Sequence, residues 1–255
     1  MTTFCATSHP SRDGKRRLLS RFGEPLFFAT WNRAAFIHYE VDPAVLQQQI
    51  PFELDLWNNR AYVSLVAFTL LQMRPRIGGR PGEWLFRPIA SHEFLNLRTY
   101  VRQAGEPGIF FLAEWLSNPL SVRLGPRIFG LPYRPGRLRY LHRHERGEIQ
   151  GQVIGETGRF EYRATVPDHR FEASAAGSAT EFLLERYTAF TCLLERRRFF
   201  RIWHEPWPQN PIRIEIIADD LLAATGPWWS GAELAAANYS PGVEAWMGWP
   251  HRIVV

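Results

Sequence analysis

The sequence predicts an α+β fold, in which a mostly antiparallel β-sheet curls into a barrel or cone and short helices pack on it. Short strand-like stretches are separated by Gly and Pro along most of the chain. Helical patterns are fewer, and the strand–helix alternation of a doubly wound fold is missing. The 255 residues, 45% of them hydrophobic, are enough for one large domain with a sizeable core.

Nine segments have the composition of strands and are bounded by turn residues. They are 34–41, 61–72, 92–103, 108–115, 137–145, 158–166, 188–194, 198–204 and 211–217. The strands at 92–103 and 108–115 flank the short Gly/Pro segment 105–108. Because this arrangement is typical of a hairpin, we expect these two strands to pair antiparallel.

Helical patterns start at Asp42 and Asn118, where a cap residue precedes proline at the first helical position. The segment 178–187 pairs side chains four residues apart, as a helix does. Two weaker helix candidates are 218–224 and 231–238. These segments supply the short helices that the fold class requires.

Two further segments are interpreted as irregular. The Gly/Pro-rich stretch 74–88 is predicted to be a long loop that could cover a pocket. Residues 1–20 are polar and basic, lack the apolar stretch of a signal peptide and are interpreted as a flexible tail. Residues 21–255 then form the single domain.

The formal net charge of +5 rests almost wholly on arginine, because Lys15 is the only lysine. Arginine keeps its proton at physiological pH and cannot replace lysine as an amine nucleophile. The folded core therefore cannot use lysine Schiff-base chemistry. Acidic and basic residues are interleaved along the chain, which makes nucleic-acid binding a minor alternative.

The remaining composition limits cofactors and compartment. Cys5 and Cys192 are far apart and fit no metal or redox spacing, and no phosphate-binding, dinucleotide-binding or zinc-protease motif occurs. No apolar run has the length of a membrane span. We therefore expect a cytoplasmic protein without a cofactor and without membrane contact. The ten tryptophans need a core, a pocket or an oligomer contact.

The strand at 92–103 has the most informative pattern. Alternation places leucine, threonine and valine side chains on one face and Asn96, Arg98 and Tyr100 on the other. The polar face lies either in water or against an internal pocket. A buried Arg98 would need a partner, which could be a carboxylate such as Glu93 or Glu114 in a structural ion pair, ordered water, or a ligand anion.

His142 and His144 form an HxH pair that would share one side of a strand and could bind a metal. Their neighbours are charged, as is typical of an exposed strand, and no third ligand is indicated. No metal site is predicted.

Six short motifs follow one another along most of the chain. They are Trp31-Asn32-Arg33, Asn96-Leu97-Arg98-Thr99-Tyr100-Val101, Gly105-Glu106-Pro107-Gly108, Phe129-Gly130-Leu131-Pro132-Tyr133, Phe182-Leu183-Leu184-Glu185-Arg186-Tyr187 and His204-Glu205-Pro206-Trp207-Pro208. In this order and spacing they resemble the YqjF-like family of uncharacterised bacterial proteins, in the acetoacetate-decarboxylase-like superfamily. That family has no established activity to carry over.

The more distant resemblance to acetoacetate decarboxylase implies a barrel or cone-like sheet with a site inside. The Schiff-base lysine of the decarboxylases and the lysine after it match Tyr133 and Arg134 here. Their early substrate-facing arginine resembles Arg33, and their pocket glutamate resembles Glu93. This chain therefore has a phenol where the decarboxylases have their nucleophile.

These residues define the predicted site. Tyr133 and Glu93 are the catalytic candidates, and Arg134 is expected to favour the ionised form of the phenol. The ligand-binding candidates are Arg33, Asn96, Arg98, Tyr100 and Arg134. We expect Arg33, Arg98 and Tyr133 to converge on one concave site inside the sheet, where arginine would bind anionic oxygen.

The leading functional interpretation is an internal site for an anionic or carbonyl-bearing small molecule, such as a carboxylate, that does not form a lysine Schiff base. The pattern leaves open whether the site is enzymatic or purely binding. The main alternative is a non-enzymatic interaction or oligomer-scaffold protein with tryptophans at its interfaces. A homo-oligomer is compatible with both.

Overall fold

The computed structural model describes residues 10–253 and contains two β-sheets with helices packed on them. Its strands are β1 (Phe27–Val41), β2 (Glu53–Leu54), β3 (Ala61–Pro75), β4 (His92–Gln103), β5 (Glu106–Leu116), β6 (Tyr133–Pro135), β7 (Arg137–Arg143), β8 (Glu148–Ile154), β9 (Arg159–Thr165), β10 (Thr188–Leu193), β11 (Arg196–His204), β12 (Asn210–Pro211), β13 (Arg213–Ala218), β14 (Glu233–Met247) and β15 (His251–Arg252). Its α-helices are α1 (Pro10–Leu19), α2 (Pro43–Gln47), α3 (Gly79–Phe86), α4 (Pro119–Phe129), α5 (Ala179–Leu184) and α6 (Asp220–Ala223).

The larger sheet closes on itself. Its strands follow the order β12-β14-β1-β3-β4-β5-β10-β11-β15, and β11 also pairs with β14. Seven strands, from β14 through β1 to β11, therefore form a closed ring of pairings. Most neighbours are antiparallel, whereas β5 pairs in parallel with β10 and with β6. The predicted α+β class with a curled, mostly antiparallel sheet is confirmed.

The smaller sheet covers one face of the larger one. Its order is β13-β9-β8-β7, and it packs on the larger sheet through an apolar core. β4 shows how the two faces differ: Leu95 and Leu97 belong to this core between the sheets, whereas Phe94 and Tyr100 belong to a second cluster. The same strand thus faces two interiors, as its alternating pattern requires.

The predicted hairpin of 92–103 and 108–115 is confirmed. β4 and β5 pair antiparallel, with Gln103 opposite Glu106. The turn lies at Ala104 and Gly105. Both residues have positive φ, as a two-residue type I′ hairpin turn requires. The segment 105–108 therefore contributes only its first residue to the turn.

In the C-terminal half one prediction was wrong and one strand was missed. The segment 231–238 lies mostly in the long strand β14, although its sequence ELAAAN has good helix formers. β14 pairs along its length with β1, and this tertiary pairing outweighs the helix propensity. β8, between the predicted strands at 137–145 and 158–166, was not predicted.

The irregular segments also differ from prediction. Residues 10–19 of the supposed tail form α1, which packs on β11, with Leu18 fully buried; residues 1–9 lie outside the described range. Gly14 permits this docking, because a Cβ there would meet the Tyr187 ring. The supposed loop 74–88 contains α3, which begins after Gly78 in the left-handed conformation.

Candidate functional site

A cavity of about 220 Å³ lies inside the ring of strands. Side chains from six of the seven ring strands line it, together with β6, α3 and α4. Its wall is predominantly apolar and rich in aromatic side chains. The aromatic members, apart from histidine, are Phe27, Trp31, Phe68, Phe86, Phe94, Phe111, Phe129, Tyr133, Phe200 and Trp207. An apolar cavity with a few polar groups is the usual form of a small-molecule site.

The polar lining residues meet through the strand register. Asn96 on β4 lies opposite Glu114 on β5, and Glu114 lies opposite Tyr133 on β6. Arg98 follows Asn96 two positions along the same face of β4. Since residues opposite one another on paired strands lie about 5 Å apart, these four side chains form one polar end of the cavity.

Arg98 is a buried cation without a carboxylate partner. Its side chain donates a hydrogen bond from Nη2 to the carbonyl oxygen of Leu183 at 3.1 Å, and its Nε has no hydrogen-bond partner. Within residues 10–253 no carboxylate oxygen lies within ion-pair distance of it. Of the alternatives for Arg98, the structural ion pair with Glu93 or Glu114 is therefore not formed, and the charge has no counterion among the described residues.

Glu114 is a buried carboxyl whose Oε2 has no hydrogen-bond partner within the described chain. Burial raises the pKa of Glu114 well above its ordinary value, because the ionised form would lose its hydration. A carboxyl that keeps its proton can donate a hydrogen bond to an oxygen of a ligand. A lone glutamate inside the apolar stretch FFLAEWL was the sequence signal for this group.

Tyr133 lines the cavity as expected, but its phenol is neutral and not ionised. Burial and the nearby Glu114 raise the pKa of the Tyr133 phenol, so the phenol stays neutral. Arg134 does not offset this, because it lies outside the cavity with its guanidinium carbon 5.6 Å from the centroid of the Trp115 ring. Gly125 of α4 makes room for the phenol, since a Cβ at that position would overlap the Tyr133 ring.

His92 and Asn96 complete the polar lining on β4. Both ring nitrogens of His92 and the Oδ1 of Asn96 are buried without a hydrogen-bond partner in the described residues. Burial lowers the pKa of His92 to about 4, so its imidazole is neutral at physiological pH. Unpartnered polar atoms of this kind are rare in protein interiors and are expected where a ligand or water binds.

Arg33 does not join the site. It lies at an irregularity of β1, with φ of 55°, and donates from Nη2 to Glu145 at 3.0 Å with its side chain 40% exposed. The expected convergence of Arg33 with Arg98 and Tyr133 is therefore wrong, whereas Arg98 and Tyr133 do line one cavity. The bulge turns the Arg33 side chain away from the ring interior.

Two other predicted residues also lie outside the cavity. Glu93 points to the other side of β4 from His92 and accepts a hydrogen bond from the Ser117 hydroxyl at 3.0 Å. Tyr100 has the parity of Asn96 but is fully engaged, because its hydroxyl contacts the Ser64 hydroxyl at 2.6 Å and donates to Leu183 at 2.8 Å. Tyr100 supports the carbonyl that Arg98 contacts and does not reach the cavity.

The histidine pair is also placed differently from its prediction. His142 is buried rather than exposed, with Nδ1 at 2.7 Å from the Arg33 carbonyl and Nε2 at 2.9 Å from the Tyr162 hydroxyl. His144 contacts the Tyr239 hydroxyl at 3.1 Å. Both are therefore structural. Among residues 10–253 no group of three potential ligands is arranged to hold a metal, and no helix there is long and apolar enough to cross a membrane.

The chain is similar in sequence to proteins without a described activity. A family profile, DUF2071, described as an uncharacterized conserved protein, matches residues 28–244. The uncharacterized protein YqjF of Bacillus subtilis (strain 168) is 30% identical over 210 residues, which cover 77% of this chain and 80% of that protein.

Solved structures share the fold at low sequence identity. The enduracididine biosynthesis enzyme MppR, complexed with pyruvate, superposes with a TM-score of 0.61 at 13% identity and covers 91% of this chain and 92% of its own. Acetoacetate decarboxylase from Legionella pneumophila gives a TM-score of 0.59 at 13% identity, over 89% of this chain and 87% of its own. An acetoacetate decarboxylase-like enzyme from Sphingomonas wittichii RW1 gives 0.59 at 15% identity, over 90% and 94%. The fold is of the acetoacetate-decarboxylase type.

Proposed function

The chain belongs to the DUF2071 family of uncharacterized conserved proteins, and we propose that its internal cavity binds a small organic carboxylate without forming a Schiff base. The observation that carries the proposal is Arg98. A buried guanidinium without a carboxylate partner is costly, and a ligand carboxylate would supply the missing charge with charge-assisted hydrogen bonds.

The neutral acids beside Arg98 suit a ligand that also has a carbonyl oxygen. Glu114 and Tyr133 both keep their protons, so each can donate a hydrogen bond into the cavity. Donors that converge on one oxygen stabilise negative charge as it develops there. Such a pair would polarise a ligand carbonyl while Arg98 holds the carboxylate. The pyruvate complex of the fold neighbour MppR is compatible with a ligand of this class.

The proposal contains no Schiff base, because no lysine lines the cavity. The only lysine, Lys15, is on α1, and its ammonium lies 4.0 Å from the centroid of the Trp203 ring rather than in the cavity. We expect borohydride added with a 2-oxo acid to leave no reduced adduct on residues 21–255, as measured by peptide mass spectrometry. An adduct on a cavity residue would contradict this mechanism.

The scaffold alternative is less well supported, because it needs tryptophans at exposed surfaces. Trp115, Trp203 and Trp207 are buried, and Trp228 is fully buried. In the described chain the tryptophan with the largest exposure is Trp84, at 70%. The tryptophans thus build the interior more than an interface, which favours the internal site.

The test is calorimetric titration of a panel of small carboxylates, including 2-oxo acids, into the protein and into Arg98→Met. Loss of a hydrogen bond to a charged group corresponds to about tenfold to hundredfold weaker binding. Arg33→Met is the matched control, because it removes an arginine outside the cavity and should leave affinity unchanged. Equal affinity of the protein and Arg98→Met, or no binding by any acid, would contradict the proposal.

The pH dependence gives an independent test. Since the pKa of Glu114 is raised, its carboxyl loses its proton only at higher pH, and the resulting anion repels a bound carboxylate. Affinity should therefore fall as the pH rises through that pKa. Glu114→Gln keeps a donor without titrating, so its affinity should be flat over the same range. If the affinity of Glu114→Gln fell with pH as steeply as that of the wild-type protein, Glu114 would not be part of the binding site.

A further inference from the structure

The cavity is larger than a three-carbon acid needs. A dry apolar cavity of about 150 Å³ binds benzene. The cavity here has a volume of about 220 Å³, which leaves room for a ring and a short polar arm. A ligand of pyruvate size would leave much of this space without contacts, and the lining would lose the corresponding dispersion energy.

Asn96, Arg98 and Glu114 lie toward one end of the cavity, whereas the neutral His92 lies farther along β4, opposite Leu70. Asn96 and Arg98 lie opposite Val66 and Ser64 on β3. Phe27, in contrast, lies opposite Pro75 at the other end of β3. The remote end of the cavity is therefore separated from the polar end along the same strand.

The remote end is an aromatic cluster. The Phe27 ring lies 5.3 Å from the Phe86 ring and 6.4 Å from the Phe129 ring, measured between centroids, and the Phe129 ring lies 5.1 Å from that of Phe200. All three contacts are tilted or edge-on, an arrangement that aromatic rings prefer over face-to-face stacking. A planar aromatic group of a ligand would find the same partners.

We propose that the ligand is an amphipathic carboxylic acid with an apolar body about the size of an aromatic ring, such as an arylpyruvate, whose carboxylate binds Arg98 and whose ring lies toward Phe27 and Phe129. This inference rests on the proposed carboxylate site and adds the nature of the ligand's other end. The polar end, the aromatic end and the volume of the cavity all favour an amphipathic carboxylic acid of this kind.

The test is a matched ligand series in calorimetry with the wild-type protein. Phenylpyruvate should bind about tenfold to hundredfold more tightly than pyruvate, because burial of a phenyl ring adds hydrophobic free energy. Benzyl methyl ketone, which keeps the ring and the ketone but lacks the carboxylate, should bind more weakly than phenylpyruvate. Palmitate should also bind more weakly, because its chain exceeds the cavity.

A variant locates the ring. Leu70 lines the cavity opposite His92, beyond Phe94 from the polar end. Leu70→Trp should narrow the aromatic end and weaken phenylpyruvate more than pyruvate, with folding checked by circular dichroism. The wild-type series decides the matter if that variant does not fold.

The outcomes separate this inference from the proposed function. Pyruvate binding as tightly as phenylpyruvate, with both dependent on Arg98, would overturn the ligand class and leave the carboxylate site standing. Tighter binding of palmitate would also overturn the class. Tight binding of benzyl methyl ketone equal to that of phenylpyruvate would overturn the carboxylate site itself.

Discussion

Two buried arginines that contact neighbouring carbonyl groups of α5, Arg98 and Arg186, have opposite electrostatic surroundings. Arg186 donates from Nη1 to Asp55 at 2.6 Å and from Nε to the Phe182 carbonyl at 2.7 Å. Arg98 donates only to the Leu183 carbonyl and faces the cavity. Both residues are 7% exposed, so burial does not distinguish them.

The difference lies in the counterion. Asp55 neutralises Arg186 and also accepts from Arg102 at 2.8 Å, so it joins the end of α5 to β4. Arg98 has no such carboxylate among the described residues. Arg186 has its counterion within the fold, whereas Arg98 lacks one, and this difference underlies the carboxylate site proposed for Arg98. Variants at the two sites test this distinction.

The largest effect is expected at the paired site. Asp55→Asn leaves Arg186 and Arg102 without their counterion, and breaking a buried ion pair costs about 3–5 kcal/mol. Urea unfolding should show this loss in the free energy of unfolding. Glu93→Gln, at a carboxylate bonded to Ser117, is the control and should cost less than about 1 kcal/mol. A loss at Asp55 as small as this would mean that the pair does not hold the fold.

The next effect depends on pH and concerns His38, whose pKa is affected by the charge of Arg98. Burial, and then the charge of Arg98, lower the pKa of His38 to about 3. In the unfolded chain the same imidazole takes up a proton near pH 6.5, so stability falls as the pH drops below that value. Between pH 6.5 and 4.5 the loss from this residue should be about 2–3 kcal/mol.

Urea unfolding at both pH values checks the prediction. His38→Asn should lose about 2–3 kcal/mol less on acidification than the wild-type protein, while the buried His92 and His142 still contribute their own loss. Arg98→Met should reduce the loss by a smaller amount, because burial is the larger cause of the shift in the pKa of His38. An unchanged pH slope in His38→Asn would show that this imidazole is protonated in the fold.

A smaller effect is expected when Arg98 itself is replaced. Arg98→Met removes an uncompensated buried charge and leaves the Leu183 carbonyl bonded to the Tyr100 hydroxyl. The free energy of unfolding should change by no more than about 1 kcal/mol or should increase. Arg186→Met, which strands Asp55, should instead lose about 3 kcal/mol or more. Equal losses in the two variants would abolish the distinction between the sites.

The elements around this comparison were predictable to different degrees. The bounds of β4 followed from its alternating pattern, because one face needs apolar residues for the core between the sheets. The strand at 231–238 could not be predicted in this way, because its pairing with β1 overrides its helix propensity. Local patterns fixed the strands with one clear apolar face and failed where distant pairing decides.

The site divides in the same way. Asn96 and Arg98 could be placed together because they share a face of one strand. The proximity of Glu114 to Tyr133 depends on the parallel pairing of β5 with β6, which no local pattern shows. The placement of Arg33 came from family resemblance alone, and the irregularity of β1 at that residue is not visible in the sequence.

The smallest effect is expected at Arg33, a partly exposed arginine that contacts neither the cavity nor Asp55. Its positive φ of 55° is unfavourable for a residue with a Cβ, and glycine adopts it without strain. Arg33→Gly also gives up an exposed ion pair with Glu145, worth about 0–1 kcal/mol, and gains chain entropy in the unfolded state. The hydrogen bond from His142 to the Arg33 carbonyl is kept.

The opposing contributions of Arg33→Gly should leave the free energy of unfolding within about 1 kcal/mol of the wild-type value and carboxylate affinity unchanged. A clear loss of affinity in Arg33→Gly, with stability retained, would show that this arginine reaches the bound ligand after all and that a missing counterion does not by itself identify the binding residue.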